Sequence, residues 1–220
     1  MRIGFVHTDA QLLDLFRDEM VAHHPHVDCF HLLNEGLLQD LTRGEERSAV
    51  YRRTVRQILI AADTMADLVI MTCSSTAPAV DIARQVCPVP VLKIDDPMAA
   101  EAVRLGGRIA VFCTRASGAG PSAALMRQHA AAQGREVLVE TVVRPEAFTA
   151  LFAGDQARHD QTILDAARAA APRADVLVLG NPEMAHVRGQ IAAFGKPALV
   201  SPPWLMADLA RRLAPTPASG

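Results

Sequence analysis

The sequence predicts an α/β protein made of two similar halves, each with about four parallel strands. Three observations lead there. Short runs rich in β-branched residues alternate with longer helical patterns along the 220-residue chain, the rhythm of folds built on parallel sheets. Several of these runs are apolar at every position, as in Leu68-Val69-Ile70-Met71 and Val176-Leu177-Val178-Leu179, which suits strands covered by helices on both faces. The chain also repeats itself. Residues 2–8 resemble 108–114 at an offset of 106, and 66–73 resemble 174–181 at 108. Residues 90–92 resemble 197–199, and 98–104 resemble 205–211, both at 107. Four matches in one order at nearly constant spacing mark a duplicated unit.

Taken in order, strands are expected at 2–7, 27–33, 67–72 and 89–94, then at 108–113, 136–142, 175–180 and 197–200. Helical patterns occupy 11–22, 46–66, 122–133 and 156–171. Gly106-Gly107 and Gly134 punctuate helix-to-strand junctions, as C-terminal caps do. The stretch after Cys73 reads as a helix running to about Gln85, with Ser75 or Thr76 as its cap and Pro78 in its first turn. The charged run Arg43–Arg47 reads as the solvated start of the helix that follows. Residues 214–220, rich in Pro, Ala and Ser, are expected to fray.

Composition excludes several classes. With 22 Lys+Arg against 24 Asp+Glu and a net charge of −2, the chain offers no broad basic surface to a nucleic-acid backbone. No apolar run approaches the ~20 residues of a membrane span. The start reads as a strand, not a signal peptide, so a cytoplasmic location with free thiols is the expectation. The four cysteines show no metal-binding spacing, and His23, His24, His26 and His31 lack carboxylates at ligand spacing. No metal is therefore expected. Gly118-Ala119-Gly120-Pro121-Ser122-Ala123 fits a dinucleotide pattern, but four residues part it from its strand, so the tight phosphate turn is lost. No cofactor is expected.

Cys73 carries the chemistry. It closes an apolar strand and precedes Ser74-Ser75-Thr76 and a helix start. Unpaired amides and the helix dipole there favour thiolate. With the hydroxyls of Ser74, Ser75 and Thr76 they also make a cradle for a carboxylate. Cys29, Cys87 and Cys113 read as structural.

Thr72-Cys73-Ser74-Ser75-Thr76 after its strand, Ile94-Asp95-Asp96-Pro97-Met98-Ala99, and the segment Gly107-Arg108 to Thr114 opening the second half resemble the aspartate/glutamate/hydantoin racemase superfamily. That group includes cofactor-independent amino-acid and hydantoin racemases, maleate isomerases and arylmalonate decarboxylases. The resemblance implies two flavodoxin-like halves related by a pseudo-two-fold axis, with an active-site cleft between them. It implies a first half of residues 1–97 joined by 203–220, carrying Cys73, and a second half of 98–202. It also implies a small carboxylate substrate and a possible homodimer, with neither nucleic acid nor membrane as partner.

Racemases of this group keep a second cysteine where the repeat puts Asn181 in this chain. Asparagine is neither acid nor base in this pH range, so Glu183, or else His186, is the candidate second proton carrier. The implied chemistry is proton transfer by Cys73 at the α-carbon of a carboxylate, in a racemase or epimerase. The alternatives are a single-cysteine decarboxylase of the arylmalonate type, although those enzymes retain the second-half cysteine, a maleate-type cis–trans isomerase with Cys73 as nucleophile, and a non-catalytic small-molecule binder. His7, Thr8, Thr114 and Ser117 join Ser74, Ser75, Thr76 and Asn181 as expected substrate-binding residues.

Overall fold

A computed structural model of the chain describes residues 1–214; the remainder of the tail expected to fray, 215–220, lies outside the described residues. The first half runs β1 (Arg2–His7), α1 (Ala10–His23), β2 (Asp28–Leu33), α2 (Glu35–Thr42), α3 (Arg47–Asp63), β3 (Leu68–Met71), α4 (Pro78–Ala83), β4 (Val91–Lys93) and α5 (Asp96–Leu105). The second repeats the plan with β5 (Arg108–Cys113), α6 (Ala116–Ala132), β6 (Leu138–Val143), α7 (Pro145–Phe152), α8 (Gln156–Ala170) and β7 (Val176–Leu179). A 3-10 segment (Pro182–Val187), α9 (Arg188–Ala192), β8 (Ala198–Val200) and α10 (Ser201–Leu213) complete it. The two parallel sheets have the same order, β2-β1-β3-β4 and β6-β5-β7-β8. The chain is thus α/β with two similar halves, as its repeat predicts. Among the described residues no helix is long and apolar enough to cross a membrane.

Alternation along the central strands builds a core on each face of each sheet. Ile3, Phe5, Leu68 and Ile70 pack under α1, while Val6, Val69 and Met71 pack against α3 and α4. In the second sheet Ala110, Phe112, Leu177 and Leu179 meet α8 and the 3-10 segment, and Ile109, Val111, Val176 and Val178 meet α5 and α6. The helices that end the halves are exchanged. Met98, Ala99, Ala102 and Val103 of α5 join the second-half core, whereas Leu205, Met206 and Leu209 of α10 join the first-half core. Burying these side chains, at roughly 1.5–3 kcal/mol each, ties the halves together.

The duplication extends to polar detail. Asp67 accepts the Arg2 backbone N–H at 2.7 Å, and its repeat partner Asp175 accepts that of Arg108 at 2.8 Å. Beyond β7 the backbone passes so close to β5 that a Cβ on Gly180 would stand 2.8 Å from the Phe112 carbonyl oxygen. Only glycine fits there, and this close passage sets the position of Asn181.

Candidate active site

The central strands of both sheets end at one junction between the halves. Thr8 follows β1 and Thr114 follows β5 directly; Cys73 stands two residues past β3 and Asn181 two residues past β7. The matching pairs predicted by the repeat therefore occupy matching places in the sheets. Strand ends of this kind are where open α/β sheets bind ligands.

Hydroxyls from the two halves meet there. Ser75 Oγ lies 2.9 Å from Ser117 Oγ across the junction. Ser74 Oγ donates to Asp95 Oδ2 at 2.6 Å and reaches the Gly180 carbonyl at 3.5 Å. Asn181 Oδ1 accepts the Thr114 backbone N–H at 3.0 Å and faces Thr114 Oγ1 at 3.4 Å. Thr114 Oγ1 also lies 3.4 Å from Glu183 Oε1. Asn181 thus orients the Thr114 turn, and Glu183 stands beside it on the 3-10 segment. Burial pushes the Glu183 carboxyl up from the usual carboxylate range, opposed by the positive charge of Arg115.

A cavity of about 420 Å³ opens between the halves. Thr8, Asp9, Leu38 and Arg43 line it from the first half, and Arg115, Phe148 and Phe152 from the second. Thr8 is buried and its hydroxyl has no protein partner, a donor left for a ligand. Arg115 stacks over the Phe148 ring at 4.1 Å and pairs with Asp9 at 3.5 Å. Its guanidinium is the fixed cation of the cavity, suited to a carboxylate.

Some expectations are corrected. Cys73 is only 6% exposed and is not among the cavity-lining residues. Leu38 belongs both to the apolar cluster around Cys73 and to the cavity wall, so the thiol lies behind that wall instead of at an open mouth. Neither Ser75 nor Thr76 caps a helix: residues 74–77 form a turn, and Ala77 is the N-cap of the six-residue α4. Thr76 Oγ1 instead donates to the Cys73 carbonyl at 3.3 Å, which fixes the turn that presents the thiol.

His7 does not face the cleft. It shares a face of β1 with Ile3 and Phe5, is fully buried, and stacks on Phe5 and His31. One proton arrangement satisfies its contacts: His31 Nδ1–H donates to His7 Nε2 at 2.9 Å, and His7 Nδ1–H donates to Thr72 Oγ1 at 3.0 Å, which donates to the Val6 carbonyl. Burial, then the nearby charge of His31, lowers the His7 pKa to about 3, so the ring is a neutral core group. His186 is exposed and bound to Asp160 at 2.7 Å instead of to the cleft residues. Cys113 is buried and pushed up to about 12 by burial, an inert thiol.

The family model for Asp/Glu/Hydantoin racemase matches residues 9–210. The chain belongs to the Asp/Glu/hydantoin racemase family. Its fold is similar to that of aspartate racemase from Picrophilus torridus, with a TM-score of 0.71 at 13% identity over 96% of this chain and 93% of that one. It is similar to glutamate racemase from Aquifex pyrophilus, at a TM-score of 0.69 and 16% identity over 97% and 84%. It is also similar to an arylmalonate decarboxylase, at 0.60 and 17% over 98% and 94%. No curated protein matches the sequence.

In this member of the racemase family two site residues escape a reading of the sequence by itself. Arg115 is one; it adjoins Thr114, yet nothing local distinguishes it from a surface arginine. Asp95 is the other. It is buried beyond β4, and burial raises its pKa to about 6. Between the ordinary carboxylate range and about pH 6 the folded chain holds a proton that the unfolded chain has lost, so stability falls as pH rises through that window. Asp95→Asn keeps an acceptor for Ser74 and removes the buried charge. It is expected to raise stability above about pH 6 by ~1–3 kcal/mol and to leave it unchanged at about pH 4, as urea midpoints at the two pH values would show.

Proposed function

We propose that this racemase-family enzyme inverts the α-carbon of a small carboxylate (an amino acid, a hydantoin or a related acid), with Cys73 and Glu183 as the two proton carriers. The observation that carries this reading is their placement. One follows β3 of the first half and the other follows β7 of the second, and the Arg115 cavity lies between those halves. The substrate carboxylate pairs with Arg115 and accepts hydrogen bonds from Thr8 and the Thr114 turn. The Cys73 thiolate takes the α-proton, so an S–H bond forms as the Cα–H bond breaks. The electron pair moves into the carboxylate as an enediolate, which each well-placed donor stabilises by about 3 kcal/mol. The protonated Glu183 carboxyl then delivers its proton to the opposite face of the α-carbon. The reverse reaction exchanges the two roles. Because Leu38 separates the cavity from Cys73, turnover requires a shift of this side chain or of α2.

The single cysteine at the strand ends favours one further reading, a decarboxylase in which CO2 leaves and Cys73 returns a proton. Enantiopure amino acids, hydantoins and substituted malonates, followed by circular dichroism with CO2 release in parallel, separate the two. Loss of optical activity without CO2 is the expected result; CO2 release replaces the racemase reading, and neither signal with tight binding replaces both. Arg115→Met is expected to raise KM by roughly 10–100-fold, the worth of a charge-assisted hydrogen bond, with a smaller effect on kcat.

A further inference from the structure

Away from the cleft, the first turns of α8 and the 3-10 segment bring four polar side chains to one point. His159 Nδ1 lies 2.8 Å from Asp160 Oδ1, and His186 Nε2 lies 2.7 Å from the same oxygen. The amide nitrogen of Gln156 sits 2.7 Å from that oxygen, 3.0 Å from His186 Nε2 and 3.4 Å from His159 Nδ1. The two ring nitrogens and the carboxylate oxygen fall within 4.8 Å of one another.

Hydrogen bonding alone uses this arrangement poorly. An amide nitrogen has two hydrogens and here has three neighbours, while one carboxylate oxygen takes three contacts. Turned about its last bond, the amide presents its oxygen to the same point, and the four atoms then form a cage of donors to a cation. Ligand atoms placed tetrahedrally ~2.0–2.1 Å from a zinc ion stand about 3.3 Å apart, a small expansion of the separations seen. His159 is fully buried and its outer nitrogen, Nε2, has no protein partner. Metal-bound imidazoles direct that nitrogen outward to a second group, and Glu183 is close enough to feel the charge of the His159 ring.

We propose that His159 Nδ1, Asp160 Oδ1 and His186 Nε2 bind a divalent ion of the zinc type, with the Gln156 amide oxygen as fourth ligand. Two imidazoles and a carboxylate suit such an ion better than a hard, all-oxygen one. His186 is exposed, so the ion has a path in. Bound there, it pins the 3-10 segment carrying Glu183 to α8, a structural role that does not depend on the proposed reaction.

The test uses the full chain without an affinity tag, stripped with chelator and titrated with Zn2+ by calorimetry, with thermal melting in parallel. The expected result is about one ion per chain and a melting temperature raised by Zn2+. Both effects are lost in His186→Ala and in Asp160→Asn, whose metal-free circular dichroism matches that of the parent, and both are kept in Cys73→Ala. Absence of binding by the parent overturns the proposal, as does binding that survives both substitutions or disappears with Cys73.

Discussion

Cys73→Ala is expected to lower turnover by roughly 10²–10⁴-fold, the usual worth of a positioned general acid or base, while the fold persists. The thiol is packed among Val6, Leu38, Met71 and Val80, and a methyl group keeps most of those contacts. Its loss is expected to cost about 1–2 kcal/mol of stability, the size of a small deletion in a core. Turnover at saturating substrate, measured beside thermal melting, separates the two effects. A variant that melts like the parent and turns over within a few-fold of it removes the thiol from the reaction. The environment gives the substitution its diagnostic value. Cys113, the other buried thiol, is held protonated by burial, so Cys113→Ala is expected to leave turnover in place.

Glu183→Gln is the second large effect. The amide matches the carboxyl in shape and keeps an acceptor beside Thr114 Oγ1, yet it carries no proton to the α-carbon. Racemisation is expected to fall by roughly 10²–10⁴-fold, with KM little changed because Arg115 still holds the carboxylate. Burial raises the Glu183 pKa, which fixes two further signs. In the parent, activity declines as pH rises through that raised value, because the donor loses its proton, and the Gln variant lacks this limb. The parent also loses stability through the same window, since its folded state holds the extra proton; the Gln variant does not. Full racemisation by Glu183→Gln would assign the second proton to another group.

The duplication made most of this fold legible. Eight strands expected from apolar runs and the internal repeat occur within a few residues of their places, because strands buried on both faces leave an unbroken apolar signature. Helix starts were harder to read. α6 begins at Ala116, well before the expected 122, because Gly118, Gly120 and Pro121 look like breakers. Pro121 sits in the second turn, where it deprives only the Ser117 carbonyl of an intrahelical partner. That early start is what brings Ser117 to Ser75.

At the site, Cys73, Asn181, Thr114 and Glu183 follow from position in the repeat, whereas Asp95 and Arg115 do not. In the pair Asp95-Asp96 nothing local says which carboxylate turns inward. Asp96 is taken by Arg84 and His129, and the fold leaves Asp95 to Ser74. The placement of His7 was legible but misread: period-two alternation already puts it beside Ile3 and Phe5, and only Thr8, past the strand end, reaches the cavity. The His159, Asp160 and His186 cluster is invisible in sequence because 26 residues separate its last two members.

The most direct measurement follows hydrogen exchange in D2O at the α-carbon of each enantiomer of a substrate, by mass spectrometry, for the parent, Cys73→Ala and Glu183→Gln. With two carriers on opposite faces, the parent labels both enantiomers. Each variant then labels only the enantiomer whose α-proton faces the carrier it retains, so the two variants show opposite preferences. Label entering both enantiomers at parental rates without Cys73 would contradict the account.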